Sequence, residues 1–256
     1  MIAILSPAKR MENKGEGGGS ELSLPLFQSE AEKLIDVLRS YDVDGIKELM
    51  NVSDRIAELN HQRFAEWHPN PGPQEGRMAL LAFQGDVYQG LSATSLDQGS
   101  LGRAQESLRI LSGLYGVLRP KDLIMPYRLE MSTKLPNERA KDLYGFWEDR
   151  LTEQLKKELE EHDPRILIDL ASQEYSKTID KKGLDARIIT PKFQEKKDGT
   201  YKTVPMKAKR ARGLMGRFIV EEGIRNPEDL KGFDLEGYRY QEDLSEGDQW
   251  VFTKGI

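Results

Sequence analysis

Hydrophobic positions along this chain follow two periods, one typical of buried strands and one typical of amphipathic helices. Short apolar runs predict strands at the N-terminus, beginning at Met1, and at residues 78–83, 165–170, 186–190 and 250–253. Apolar residues at helical spacing predict helices over residues 27–39, 44–50, 53–67, 101–111, 139–161, 174–179 and 206–222.

Asp198-Gly199 lies between two short strand-like segments, residues 193–197 and 201–204. An Asp-Gly pair in this setting predicts a β-hairpin, so the sheet cannot be purely parallel. Strands and helices are otherwise interspersed. The sequence therefore predicts an α+β (mixed α/β) fold with a mixed sheet and surrounding helices, in a single domain over residues 1–256.

Residues 109–130 hold the most information in the chain. An apolar stretch is interrupted by Gly113 and Gly116, and Arg119 and Arg128 follow the break. A glycine turn of this kind can direct backbone N–H groups outward, and arginines beside it add positive charge. The combination favours an anionic partner such as a phosphate chain.

The charge distribution supports the same interpretation. The formal net charge is −5, yet residues 192–217 contain nine basic residues and two acidic ones. On a wheel of residues 206–222 the basic side also carries Gly213 and Gly216, which predicts close backbone approach by a ligand or another helix. Lys207 lies at the apolar edge of that wheel. A solvated cationic face with glycines for packing remains the alternative.

Other chemistry is less clearly marked. Ser6 and Lys9 fit an S-x-x-K pattern, but the companion motifs of serine acyl enzymes are missing. Lys9 is instead expected to face a ligand site at the end of the first strand. Asp86, Tyr88 and Glu174 also follow apolar segments, where binding or catalytic groups often lie; helix capping and ordinary surface positions are the alternatives.

The chain contains no cysteine and only three histidines, without metal-ligand spacing, so we predict no metal and no cofactor. No apolar run is long enough for a membrane helix, and the apolar start is too short for a signal peptide, so we expect a cytoplasmic protein without a membrane partner. The glycines within residues 11–25 match no phosphate-binding motif and predict a mobile loop.

Several sequence blocks resemble the YaaA family of peroxide-stress proteins. They are residues 6–9, 85–91, 108–120, 126–130, 170–175 and, with Lys209, 212–215. The resemblance runs essentially from end to end. It implies a role in surviving hydrogen peroxide by limiting free intracellular iron, and DNA binding through a positively charged cleft and a helix-hairpin-helix-like element. We place that element at residues 101–123.

Two hypotheses follow. In the first, a monomer binds double-stranded DNA through its phosphates, without reading sequence, using Lys9, Arg109, Arg119, Arg128, Lys207, Lys209, Arg210, Arg212 and Arg217. In the second, an enzyme acts on a small anionic or nucleotide-like metabolite, with candidate groups Ser6, Lys9, Asp86, Tyr88, Tyr127, Arg128, Glu130, Glu174 and Lys209. A narrow pocket favours the second hypothesis and an open groove favours the first. Direct iron sequestration is disfavoured, because only carboxylates are available as ligands.

Overall fold

The computed structural model describes residues 1–12, 22–197 and 199–255. The strands are β1 (Ile2–Leu5), β2 (Arg10–Met11), β3 (Arg77–Met78), β4 (Phe83–Gln84), β5 (Leu108–Ser112), β6 (Gly116–Leu118), β7 (Leu123–Ile124), β8 (Ile166–Asp169), β9 (Arg187–Lys197), β10 (Thr200–Lys202), β11 (Arg239–Glu246) and β12 (Gln249–Lys254).

The α-helices differ widely in length. They are α1 (Gln28–Arg39), α2 (Val43–Met50), α3 (Asp54–Glu66), α4 (Ala79–Ala82), α5 (Asp86–Leu91), α6 (Gln98–Ser107), α7 (Leu143–Trp147), α8 (Arg150–Leu159), α9 (Gln173–Ser176) and α10 (Pro205–Glu221). Short 3₁₀ segments cover Ala93–Ser95, Pro227–Gly232 and Leu235–Gly237.

The main sheet has the order β11-β12-β9-β8-β1-β5-β6, with β10 paired to β9. Strands β12, β9, β8, β1 and β5 are parallel, whereas β6, β10 and β11 are antiparallel to their neighbours. The predicted mixed sheet and the hairpin are confirmed, although Asp198 itself lies outside the described residues. The glycine-rich segment predicted within residues 11–25 lies largely outside them too, since residues 13–21 are not described.

The central strand β1 is buried over its whole length, and Ile4 lies opposite Arg109 of β5 and Asp169 of β8. Strand β5, the next strand of the main sheet after β1, lies on one side of the adjacent pair β1 and β8. Strand β9, which follows β8, lies on the opposite side of that pair. The carboxyl ends of β1 and β8 therefore form a topological switch point, where α/β proteins commonly bind ligands.

Three predictions of local structure were wrong. Residues 78–83 are mainly the helix α4 and not a strand, because a short run that is apolar on all sides carries no period. The helix predicted over 139–161 is divided into α7 and α8 by Glu148, which has φ 40°. The helix predicted over 101–111 ends at Ser107, where the chain enters β5 beside β1.

The helix-hairpin-helix-like element placed at residues 101–123 is therefore not present there. A helix is followed instead by the antiparallel β5–β6 hairpin. The turn is buried, and the amides of Leu114 and Tyr115 donate to Ser112 Oγ at 3.2 and 2.9 Å. Its N–H groups face the protein interior, so this turn is not available to a phosphate.

Helices α5 and α10 pack backbone against backbone. A Cβ placed on Gly213 would lie 1.8 Å from the carbonyl oxygen of Val87, and one on Gly90 would lie 2.2 Å from that of Arg210. The close approach predicted for the glycines of the basic helix is thus made by another helix. It holds α5 and α10 in a fixed relation beside the switch point.

Within the described ranges, no helix combines the length and apolar character needed to cross a bilayer.

Candidate functional site

A cavity of about 590 Å³ opens at the switch point of the sheet. Residues 6–10 reach it from the end of β1, and residues 172–175 reach it from the end of β8. Residues 84–88 and 127–130 form further parts of its lining, and Lys209 and Arg212 project from α10. Its volume is typical of a site for a small molecule.

Hydrogen bonds join the two strand ends at the cavity. The amide of Ser172 donates to Ser6 Oγ at 2.8 Å, and Ser6 Oγ donates to Ser172 Oγ at 3.2 Å. Tyr88 OH donates to the carbonyl oxygen of Ser6 at 3.0 Å. The Ser6 hydroxyl is therefore held by another hydroxyl and an amide and contacts no general base among the described residues, unlike an activated nucleophile.

A shared carboxylate organises the wall formed by residues 127–130. Glu130 Oε2 lies 2.6 Å from Lys9 Nζ, and Glu130 Oε1 lies 3.0 Å from Arg128 Nη2. Lys9 is thus paired with Glu130 and not with Ser6, which removes the remaining basis for serine–lysine catalysis. Arg128 Nε is buried and donates no hydrogen bond to the part of the chain that the structure describes, so this donor is left unused there.

The two cations that α10 contributes to the cavity differ from Lys9 and Arg128, because they form no ion pair with the described residues. Lys209 and Arg212 are about one turn apart, and neither forms a hydrogen bond or ion pair with any part of the chain that the structure describes. Burial lowers the pKa of the Arg212 guanidinium, although the nearby carboxylate of Asp169 opposes the shift. Arginine stays charged in proteins, so Arg212 presents to the cavity a cation that is not ion-paired with any described residue.

Asp169 does not neutralise Arg212. Its carboxylate accepts hydrogen bonds from Ser176 Oγ and the Ala171 amide, and it pairs with Lys181 Nζ at 3.0 Å. Those partners stabilise the buried charge at the end of β8. The guanidinium of Arg212 remains available to a ligand.

The two acids proposed from the sequence lie on different sides of the lining. Asp86 is the first residue of α5, and Glu174 Oε1 accepts hydrogen bonds from the amide and hydroxyl of Ser132 at 3.0 and 2.9 Å. They form no hydrogen-bonded pair. Glu174 anchors a loop, whereas the carboxylate of Asp86 accepts no hydrogen bond from any described residue.

Three tyrosines complete the cavity, and burial raises the pKa of Tyr88, Tyr127 and Tyr175. Their phenols therefore stay protonated at neutral pH and can donate hydrogen bonds but not act as bases. The hydroxyl of Tyr127 shares a 2.5 Å hydrogen bond with Ser112.

All nine candidate groups of the enzymatic hypothesis line this cavity, but only four of the nine predicted anion contacts do, namely Lys9, Arg128, Lys209 and Arg212. The others lie elsewhere: Arg109 pairs with Glu158, Arg119 with Asp122, Arg210 with Glu236 and Arg217 with Glu221, while Lys207 is exposed outside the cavity. The expected single cationic surface is not formed, because neighbouring acids neutralise four of its arginines.

Arg10, Ser172 and Tyr175 line the cavity but were not among the candidate site residues. Ser172 and Tyr175 follow a strand that the sequence predicted, so the rule that pointed to Glu174 also applies to them. Arg10 lies next to Lys9, and its basic side chain was the available signal. In the described parts of the chain, no group of three or more His, Asp or Glu side chains is arranged to hold a metal ion.

The fold and cavity together define a mixed α/β protein with a cavity, lined by more basic than acidic residues, at the switch point of its sheet. The family model described as peroxide stress protein YaaA matches residues 1–244. The chain belongs to this family, and thereby to the proteins of the peroxide stress response.

Curated relatives agree with this assignment. A UPF0246 protein of Tolumonas auensis is 48% identical over 254 residues, covering 99% of this chain and 98% of the relative. A UPF0246 protein of Burkholderia thailandensis is 48% identical over 256 residues with the same coverage. Another, from Hahella chejuensis, is 45% identical over 254 residues and covers 99% of both chains.

Proposed function

We propose that this peroxide stress protein binds a small, nucleotide-sized anion in the switch-point cavity. The observation that carries the proposal is Arg212, a half-buried cation in the cavity lining that has no hydrogen bond or ion pair with the described residues. Burying an unpaired charge is costly, so such a residue is expected where a ligand supplies the opposite charge.

The charge balance of the lining supports the proposal. Its acids are Asp86, Glu130 and Glu174. Its cations are Lys9, Arg10, Arg128, Lys209 and Arg212. Inside a partly enclosed cavity such charges act more strongly than on an open surface, because the effective dielectric constant is lower. The size of the cavity favours a single nucleotide-like molecule over a duplex.

Calorimetric titration of the full chain with adenosine monophosphate tests this proposal. We expect saturable binding that Arg212→Gln weakens at least tenfold. The matched control is Arg55→Gln, since Arg55 is exposed on α3 and far along the chain from any lining residue. Equal affinity in the two variants would contradict the role of Arg212.

The enzymatic alternative uses the same cavity, and the observation favouring it is Asp86. This carboxylate has no hydrogen bond to a described residue, so it is the lining acid most available to move a proton. We expect Asp86→Asn to abolish any turnover of a bound nucleotide while leaving its binding in place. Mass spectrometry of incubated nucleotides provides the assay, and turnover unaffected by the substitution would exclude Asp86.

A second surface favours duplex DNA. Exposed lysines without an ion pair among the described residues lie on the β9–β10 hairpin and the first turn of α10: Lys196, Lys197, Lys202 and Lys207. Phosphate contacts by lysine need no sequence readout. We therefore propose that this lysine surface, and not the cavity, holds the backbone of a duplex.

Mobility-shift titrations at several salt concentrations test the lysine surface. The slope of log K against log salt should be about −0.9 for each phosphate neutralised. Replacing all four lysines by glutamine should flatten that slope. Glutamine at four exposed lysines elsewhere should leave it unchanged: Lys134, Lys141, Lys157 and Lys182. A weak salt response in the parent protein would contradict DNA binding by this surface.

We further propose that occupancy of the cavity underlies the lowering of free intracellular iron that the family resemblance implies. Chelatable iron can be measured by electron paramagnetic resonance in peroxide-treated cells that lack the native protein. The parent chain and Arg55→Gln should lower the iron signal, and Arg212→Gln should not. If Arg212→Gln lowered the iron signal as much as the parent chain does, iron control would not depend on the cavity.

A further inference from the structure

The lining of the cavity holds two arginines whose hydrogen-bonding capacity is not used by the protein. Arg212 has no partner among the described residues, and Arg128 Nε is buried without one. The first lies on α10 and the second on the segment after Met125, so they belong to separate parts of the lining. Guanidinium groups bind the oxygens of a phosphate through paired hydrogen bonds, which lysine cannot provide.

The lining also carries a surplus of two positive charges, since it has five cations and three carboxylates. Glu130 is shared between Lys9 and Arg128, so it neutralises only one of them. Glu174 is held by the amide and hydroxyl of Ser132 and has no ion pair among the described residues. A ligand that balances this site must bring about two negative charges to a small volume.

A phosphate monoester meets this requirement, because it carries about −1.5 to −2 at pH 7 and presents three terminal oxygens. A phosphodiester carries a single charge and two such oxygens. We infer that the cavity selects a phosphate monoester dianion on a nucleotide-sized molecule, and that it discriminates against phosphodiesters. This inference rests on the proposed function and names its ligand class.

The remaining lining suits the organic part of such a molecule. Val87, Leu129 and the ring of Tyr88 contribute apolar surface to the lining. A cavity of about 590 Å³ exceeds the needs of an inorganic phosphate alone. A monoester bearing an apolar or aromatic group therefore uses more of the cavity than the free ion does.

The test compares adenosine 5′-monophosphate with 3′,5′-cyclic adenosine monophosphate, which has the same base and sugar but is a diester. We expect the monoester to bind at least tenfold more tightly at pH 7.5. Its affinity should fall severalfold as the pH is lowered to 5, through its second pKa near 6. The diester should show little change. No histidine lines the cavity, so the residue type that ordinarily titrates in this window is not part of the lining.

Two variants locate the effect. Arg212→Gln should remove the preference for the monoester. Arg212→Lys should keep part of the affinity for the monoester but lose most of the preference. Lysine retains the positive charge but lacks the paired hydrogen-bond donors of arginine. Arg55→Gln should behave as the parent protein. A melting curve for each variant reports folding independently of binding.

The possible results distinguish failure of the monoester inference from failure of the proposed anion binding. Equal binding of the two nucleotides, or a monoester affinity independent of pH, would overturn the monoester inference and leave a general anion site. Failure of both nucleotides and of inorganic phosphate to bind would overturn the proposed function as well. Tighter binding of the diester would point to nucleic acid as the ligand of the cavity and refute the inference directly.

Discussion

The contact between α5 and α10 gives the sharpest test of how this fold builds its cavity. A Cβ on Gly213 would lie 1.8 Å from the carbonyl oxygen of Val87, whereas real Cβ contacts are essentially never shorter than 3.0 Å. Gly213→Ala therefore requires the two helices to separate by roughly 1.2 Å, because the opposing atom is backbone and cannot rotate away.

We expect Gly213→Ala to lower the free energy of unfolding by about 3 kcal/mol, the upper part of the range for overpacked cores. For a chain of this size that corresponds to a melting temperature lower by about 6–12 °C. Anion affinity should fall as well, since α5 carries Asp86 and Tyr88 and α10 carries Lys209 and Arg212.

The matched control is Gly102→Ala in α6. No heavy atom lies within 4 Å of a Cβ placed there, so the substitution gains helix propensity and should stabilise the protein by up to about 1 kcal/mol. Differential scanning calorimetry measures both variants. A melting temperature for Gly213→Ala at or above that of the parent protein would refute the backbone-to-backbone packing.

Three further predictions concern other contacts. Tyr115→Phe leaves two buried donors without their acceptor and should cost about 2–4 kcal/mol in urea unfolding, whereas Tyr240→Phe should have little effect. Arg139 hydrogen-bonds Glu30 at 2.5 Å and lowers the pKa of that carboxyl. The ion pair therefore stabilises the fold above pH 4.5. The stabilisation is lost as the pH falls through the lowered pKa of Glu30. Arg139→Gln should therefore cost about 1 kcal/mol at pH 7, and a cost that persists at pH 3 would contradict this origin. Glu130→Gln removes a carboxylate that two lining cations share, so titration with inorganic phosphate should show severalfold tighter binding, and weaker binding would exclude the charge argument.

Periodicity was a good guide wherever an element has one face in the core and one in solvent. The helix α1 begins only one residue after its predicted start. The prediction was accurate because buried residues such as Leu34 and Leu38 repeat at helical spacing. Strand β8 lies within its predicted range on a different signal, a continuous apolar run whose four residues are all buried in a central parallel strand. Polar residues after such strands, including Ser6 and Glu174, were candidates for a pocket in the enzymatic hypothesis, and both line the cavity.

Periodicity failed where neighbours far along the chain decide the conformation. Residues 108–112 continue an apolar pattern compatible with helix, yet they form β5 because β1 offers an unpaired edge beside them. Arg109 follows that strand into the interior and pairs with Glu158, a contact 49 residues away that no local pattern encodes.

The sequence alone determined the mixed α/β class, the positions of most core strands and helices, and the clustering of basic residues in α10. Only the tertiary structure decided which cations remain unpaired. Ion pairs form between groups that folding brings together, so Arg210 and Arg217 are neutralised on the same helix that leaves Arg212 free among the described residues. The close backbone approach is also non-local. Gly213 of α10 is needed because the backbone of α5 lies against it, which depends on the packing of the two helices and not on either segment alone.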